Sequence, residues 1–224
     1  RAGLSEDDLQ SGAHMPLNAP AADELARSGE TPRPIHGNCS GKHAGMLALC
    51  AYLGWDTQSY REPGHPAQRL ILEAVRGMAG ASEGEVTLGG DGCGAPAFTL
   101  PLSALATGFA RLTSGRGASE DLSGAAERVR RAMREHPFMV AGSGRFDTRL
   151  MRGSSVLCKS GAEGVFAAGT ESGLGLAIKV SDGAGRGVEP AALSLLDVSG
   201  EQLSEENAVT DLHGAKVGSL ASLV

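Results

Sequence analysis

The sequence is poor in aromatic residues: one Trp, two Tyr and five Phe make 4% of 224 positions. That is too thin for a base-stacking surface. Positive charge is not in surplus either, because 20 Lys and Arg against 26 Asp and Glu give a net charge of −6. Nucleic-acid partners need a basic face, so they are excluded. No run approaches the ~18 consecutive apolar residues of a membrane span. The four cysteines, Cys39, Cys50, Cys93 and Cys158, lie far apart and include no C-x-x-C pair. A disulfide framework is therefore not expected, and reduced thiols in a cytoplasmic protein are. The sequence opens at Arg1 with neither an initiator Met nor a signal-peptide pattern, and it reads as though it starts within a longer protein.

Glycine is what the sequence has in excess. Its 33 glycines are about twice the usual share, yet with 10 prolines they stay below the ~25–30% of a low-complexity chain. Hydrophobic residues at 41% describe a globular chain able to bury a core.

Helical patterns dominate the first part. Ser5 caps an acidic turn, a short helix runs from 21 to 28, and a Pro- and Gly-bearing connector covers 29–37. Asn38 is then expected as the N-cap of a helix with an apolar face at Met46, Leu49, Cys50 and Leu53, closed by Gly54. Further helices are expected over 67–78, 102–112 and 119–135, and regular structure is not expected over 89–96. After Gly153 the pattern turns strand-like at 156–158, 164–168 and 174–180. A helix over 188–196 and a weak strand near 215–220 complete the reading. Helices first and an antiparallel meander last give the α+β class: one domain, mainly helical over 1–153 and sheet-forming over 154–224.

Three segments carry chemistry-bearing residues. In Asn38-Cys39-Ser40-Gly41-Lys42-His43, a thiol at a helix start is favoured as thiolate, and Lys42 and His43 share its helix face. By ligand chemistry alone Cys39 and His43 form the more usual zinc pair, while Lys42 could ligate only as the neutral amine. Cys93 can add a second thiolate, with Asp91 as ligand or partner. The second segment, Lys159-Ser160-Gly161, has the K-[ST]-G form that lines acylation sites in penicillin-binding enzymes. Those enzymes also need a Ser-x-x-Lys nucleophile motif, which this sequence does not contain. The third, Gly142 to Thr148, offers Arg145 and Asp147 for an anion or amino acid, or equally a locally paired turn.

Five stretches together resemble the rhizobial-type L-asparaginases, also called the asparaginase II family: Asn38 to Met46, Asp91 to Pro96, Val140 to Thr148, Lys159 to Val165, and Gly175 to Gly183. They occur in family order. The resemblance implies a fold similar to serine β-lactamases and penicillin-binding proteins, and hydrolysis of L-asparagine to L-aspartate and ammonia. It also implies one zinc ion held by Cys39, Lys42 and Cys93, so Lys42 displaces His43 as expected ligand. Asp91 and Lys159 are the expected catalytic residues, and His43, Arg145 and Asp147 the expected substrate contacts. The family's Ser-x-x-Lys nucleophile and first sheet strands are expected in a segment preceding Arg1. The 224 residues alone are then expected to be inactive.

Two alternatives stand beside that expectation: a non-catalytic zinc-binding remnant or paralogue, and an amidohydrolase using Cys39-x-x-Lys42 as thiol and base. A penicillin-recognising enzyme fits the five stretches less well. The expected partner is a small molecule, with a homodimer as the candidate assembly, and neither nucleic acid nor membrane.

Overall fold

The computed structural model describes residues 3–198, 208–210 and 212–219. The chain divides into two compact units, 1–76 with 82–99 and 77–81 with 100–224. It is of the α+β class, with helices and short antiparallel sheets. Among the described residues no helix is long and apolar enough to cross a membrane.

In the first unit α1 (Ala19–Ser28) starts where Asn18 Oδ1 accepts from Ala21 N at 3.1 Å, and it stops at Gly29 with φ 73°. Helix α2 (Ser40–Leu53) is capped by Cys39, not by Asn38 as expected. Asn38 Oδ1 lies instead 3.1 Å from His14 Nε2. The buried face of α2 is His43, Met46, Leu47 and Cys50. Leu53, expected inward, is exposed as the last residue of the helix, just before Gly54. Met46, Leu47 and Cys50 join Tyr60, Ala67, Cys93 and Ala95 in the core of this unit. Helix α3 (Pro66–Ala79) follows, and Gly80 at φ 65° ends it.

Of the stretch 89–96, where no regular structure is expected, residues 91–95 do form an irregular turn, but Gly89, Gly90 and Pro96 lie in strands. Strands β1 (Thr87–Gly90) and β2 (Pro96–Thr99) pair antiparallel, Gly90 opposite Pro96. The turn between them closes through Asp91 N to Ala95 O and Gly94 N to Asp91 O, both 2.9 Å. A two-stranded hairpin tolerates Gly and Pro that a central strand would not, since half its backbone groups need no partner.

The second unit packs helices and strands together, so the change of pattern at Gly153 is not a packing boundary. Helices α4 (Leu102–Ser114), α5 (Glu120–Glu135), α6 (Pro137–Ala141) and α7 (Phe146–Gly153) precede the meander β3 (Leu157–Ser160), β4 (Val165–Gly169) and β5 (Gly175–Lys179). Helix α8 (Val188–Val198) and the small hairpin β6 (Ala208–Thr210) and β7 (Lys216–Ser219) follow. Of the expected last strand, 215–220, Lys216–Ser219 form β7, and Leu220 lies outside the described residues.

Cross-strand partners share a face of a sheet. One face of the meander carries Lys159, Ala167 and Ala177, and the other carries Ser160, Phe166 and Ile178. Phe166 is fully buried among Leu150, Val156, Cys158, Ala192 and Leu196, with the Phe146 ring centroid at 5.5 Å. On the Lys159 face α4 lies directly on the strands. Gly169 and Gly175 are cross-strand partners there, and an added Cβ would meet the α4 carbonyls of Phe109 at 2.2 Å and Ala106 at 2.0 Å. This pair of glycines is a notch that admits helix backbone.

Candidate functional site

The start of α2 and the β1–β2 turn place a cluster of donors in the first unit. Cys39 Sγ, Cys93 Sγ and an Asp91 oxygen all lie within 4.8 Å of one another. Asp91 is the hub. Its Oδ1 accepts from Gly92 N at 2.7 Å, and its Oδ2 accepts from Lys42 Nζ at 2.7 Å and from the Cys93 thiol at 3.3 Å. The turn that aims Cys93 depends on Gly94, at φ 81°, where an added Cβ would sit 2.1 Å from Arg61 Nη1. Arg61 is itself braced by Gln10, whose Oε1 accepts from Arg61 Nε at 2.8 Å.

The electrostatics of the cluster follow from these contacts. The Lys42 hydrogen bond holds Asp91 below the usual carboxylate range against the opposing effect of burial. Desolvation is the largest influence on Lys42 and lowers it, yet hydrogen bonds to Asp91 and Cys93 and the nearby thiols raise it overall. Cys39 differs from expectation. Desolvation, with Cys93 and Asp91 adding, holds its thiol above the usual value, and Lys42 offsets only part. At the N-cap position the thiol makes no side-chain hydrogen bond to the helix start.

His43 lies one residue on and is fully buried. Its Nδ1 is 2.6 Å from Tyr60 Oη, and its Nε2 is buried with no partner among the described residues. Desolvation, then Lys42 and Arg61, hold it below the usual imidazole value. Neither Tyr60 nor Gln10 and Arg61 was signalled by any spacing in the sequence, because the contacts join positions 17 to 51 residues apart.

The second unit carries the other expected site residues. Lys159 is exposed on β3, with Nζ donating to Ser160 O at 2.5 Å. Arg145 is exposed at the start of α7. Asp147 is only 1% exposed, and its Oδ1 accepts from both Ser160 N and Ser160 Oγ at 2.8 Å. The segment around it is not a flexible turn but the first turn of α7, so Asp147 fastens the end of β3 to that helix. An open cavity of about 360 Å³ lies beside these residues, lined by Arg145, Arg149, Ser160, Gly161 and Glu189. A larger groove of about 590 Å³ beside α4 has its cations committed, Arg111 to the carbonyls of Gly77 and Met78 and Arg116 to those of Glu171 and Ser172.

Fold and cluster together define an α+β protein with two thiols, a carboxylate and a lysine gathered at one helix start. Compared with protein families, the chain matches the model of L-asparaginase II over residues 1–220, and it belongs to that family. Among curated proteins no match is found. Membership places the chain with asparaginase-type amidohydrolases acting on a small molecule.

Proposed function

We propose that the chain binds one zinc ion and L-asparagine, and contributes to hydrolysis of the side-chain amide to L-aspartate and ammonia. The observation that carries this reading is the gathering of Cys39, Asp91 and Cys93 within 4.8 Å in a chain of the L-asparaginase II family. The donors suit zinc, which takes thiolates and carboxylates at ~2.0–2.3 Å. Four free cysteines also suit a reducing, cytoplasmic setting. The fold expected from the family resemblance is that of serine β-lactamases, and the Lys159-Ser160-Gly161 strand end supports it.

When bound, zinc would supply a Lewis acid at the start of α2. Cys39 and Cys93 would hold the ion as thiolates. Lys42, whose Nζ lies 2.7 Å from Asp91 Oδ2, would join them as a neutral amine, its proton released to solvent on metal binding. Lys159 provides a fixed positive charge for the oxygen that becomes negative as the amide is attacked. Arg145 offers a charged fork for the α-carboxylate. Asp147 serves from behind, keeping Ser160 and hence the Lys159 strand in place. The attacking group of the Ser-x-x-Lys type is not among these 224 residues, so they supply binding and charge without that nucleophile.

Calorimetry of the zinc-loaded chain tests the reading. L-Asparagine should bind, and Lys159→Ala should weaken it at least tenfold. No ammonia should be released by these residues alone. Absence of asparagine binding with zinc present would overturn the reading and leave the second one: a zinc-binding protein without catalysis, favoured by the missing Ser-x-x-Lys. The thiol-nucleophile alternative has less support, because Cys39 is held above its ordinary pKa. A thiol probe labelling Cys39 faster than Cys50, unaffected by chelator, would restore it.

A further inference from the structure

His43 and Tyr60 are fully buried side by side, their rings edge to face at 5.5 Å. Where the proton of their 2.6 Å contact resides follows from counting donors and acceptors. The backbone N–H of Gln10 can only donate, and it donates to Tyr60 Oη at 3.0 Å. The O–H of Tyr60 then needs an acceptor, and among the described residues His43 Nδ1 is the one within reach. With the proton on Nδ1 instead, the Tyr60 O–H would be a buried donor without an acceptor. The Nε2 lone pair, already without a partner, would be a second unmatched group. With protons on both nitrogens the Tyr60 O–H would again be stranded, beside an unmatched Nε2–H. Only Nδ1 as acceptor with a hydrogen on Nε2 leaves a single group unmatched, and unmatched buried groups are what folded proteins avoid.

We propose that Tyr60 is a positioning residue that fixes His43 as its Nε2–H tautomer, so that His43 has no free lone pair to give a metal and is not a ligand. A ligating imidazole must offer a lone pair. Here one ring lone pair is taken by Tyr60 and the other nitrogen carries hydrogen. This gives a physical reason why His43, the better zinc donor by chemistry alone, stands aside although it neighbours Lys42. The Nε2–H is the one unmatched group of the pair, buried with no acceptor among the described residues. The metal half of the proposal rests on the zinc reading above, whereas the tautomer does not.

The test is a long-range proton–nitrogen correlation spectrum of the full chain labelled with ¹⁵N-histidine, His43 being assigned by its loss in His43→Gln. The expected result is a protonated Nε2 and an unprotonated Nδ1, both retained when Zn(II) alone is added. In Tyr60→Phe the ring should become a mixture of tautomers or move its proton to Nδ1, with Nε2 now responding to Zn(II). A protonated Nδ1 in the unaltered chain overturns the proposal, and so does loss of the Nε2 proton on adding Zn(II). The unaltered chain decides both points even where Tyr60→Phe fails to fold. Neither readout involves asparagine, so failure of the amidohydrolase reading and failure of the tautomer assignment are distinguishable.

Discussion

Replacing Gly175 with Ala would force a side chain into the contact between the meander and α4. The new Cβ would lie 2.0 Å from Ala106 O, 2.7 Å from the Ala106 carbonyl carbon and 3.0 Å from Ala110 Cβ. Carbon–oxygen contacts settle near ~3.3 Å, so α4 must retreat by roughly 1.3 Å or β5 must leave its ladder. The obstructing atoms are helix backbone, which cannot rotate aside as a side chain can. Overpacking costs ~1–3 kcal/mol, and a retreat loosens packing along the whole helix, so about 3 kcal/mol is expected. For a chain of this size that lowers Tm by about 6–12 °C. Gly169→Ala meets Phe109 O at 2.2 Å and Thr113 Oγ1 at 2.6 Å, and should cost a similar amount. One retreat of α4 relieves both clashes, so the double variant should cost clearly less than the sum of the two. Urea denaturation followed by far-UV circular dichroism measures each, with Gly185→Ala as control because an added Cβ there meets nothing within 4 Å. A Gly175→Ala protein within about 0.5 kcal/mol of the unaltered chain would refute the notch.

Asp147→Ala should destabilise by about 2–4 kcal/mol in the same assay, since it strands the Ser160 N–H and hydroxyl behind β3. Glu163 sits at φ 54° ahead of Gly164 at φ 68°, so Glu163→Asn, better suited to that turn, should stabilise by up to about 1 kcal/mol. Asp56 is held below the usual carboxylate range, chiefly by the Ser59 hydroxyl and then by the Gln58 and Ser59 amides. A depressed folded pKa contributes stability above the unfolded value, lost as the pH falls through the folded one. Asp56→Asn should therefore be less stable than the unaltered chain at pH 7, and the gap should close progressively below about pH 4.

Much of the helical half was legible because apolar spacing at period 3.6 and capping residues agree. Ser119 does precede α5 and Gly54 does close α2. Where two local signals competed, the text misled. Asn38 outranks Cys39 as a cap by preference, but its oxygen lies against His14 from a distant loop. Gly89, Gly90 and Pro96 argue against strands in general, yet a two-stranded hairpin accepts them. Helix α7 was hidden by Gly142 and Gly144, which end just before it starts. The glycine excess was legible as a count and not as a use. The closest approaches of other backbone to a glycine are at Gly169 and Gly175, inside the sheet.

The site divides in the same way. Cys39, Lys42, Asp91 and Cys93 could be grouped from two motifs, and the structure brings them together. Tyr60, Gln10 and Arg61 could not, because nothing local marks a residue whose only special partner is tens of positions away. Asp147 was singled out for its charge, and its burial and its bonds to Ser160 depend on tertiary packing that no motif encodes.

Metal content after zinc loading and gel filtration tests the central claim most directly, measured on the unaltered chain and on Cys39→Ser, Cys93→Ser, Cys50→Ser and Cys158→Ser. The account predicts one zinc ion per chain in the unaltered protein and in the Cys50 and Cys158 variants, and loss of the ion from the Cys39 and Cys93 variants. Equal zinc in all five proteins, or none in any, would contradict it.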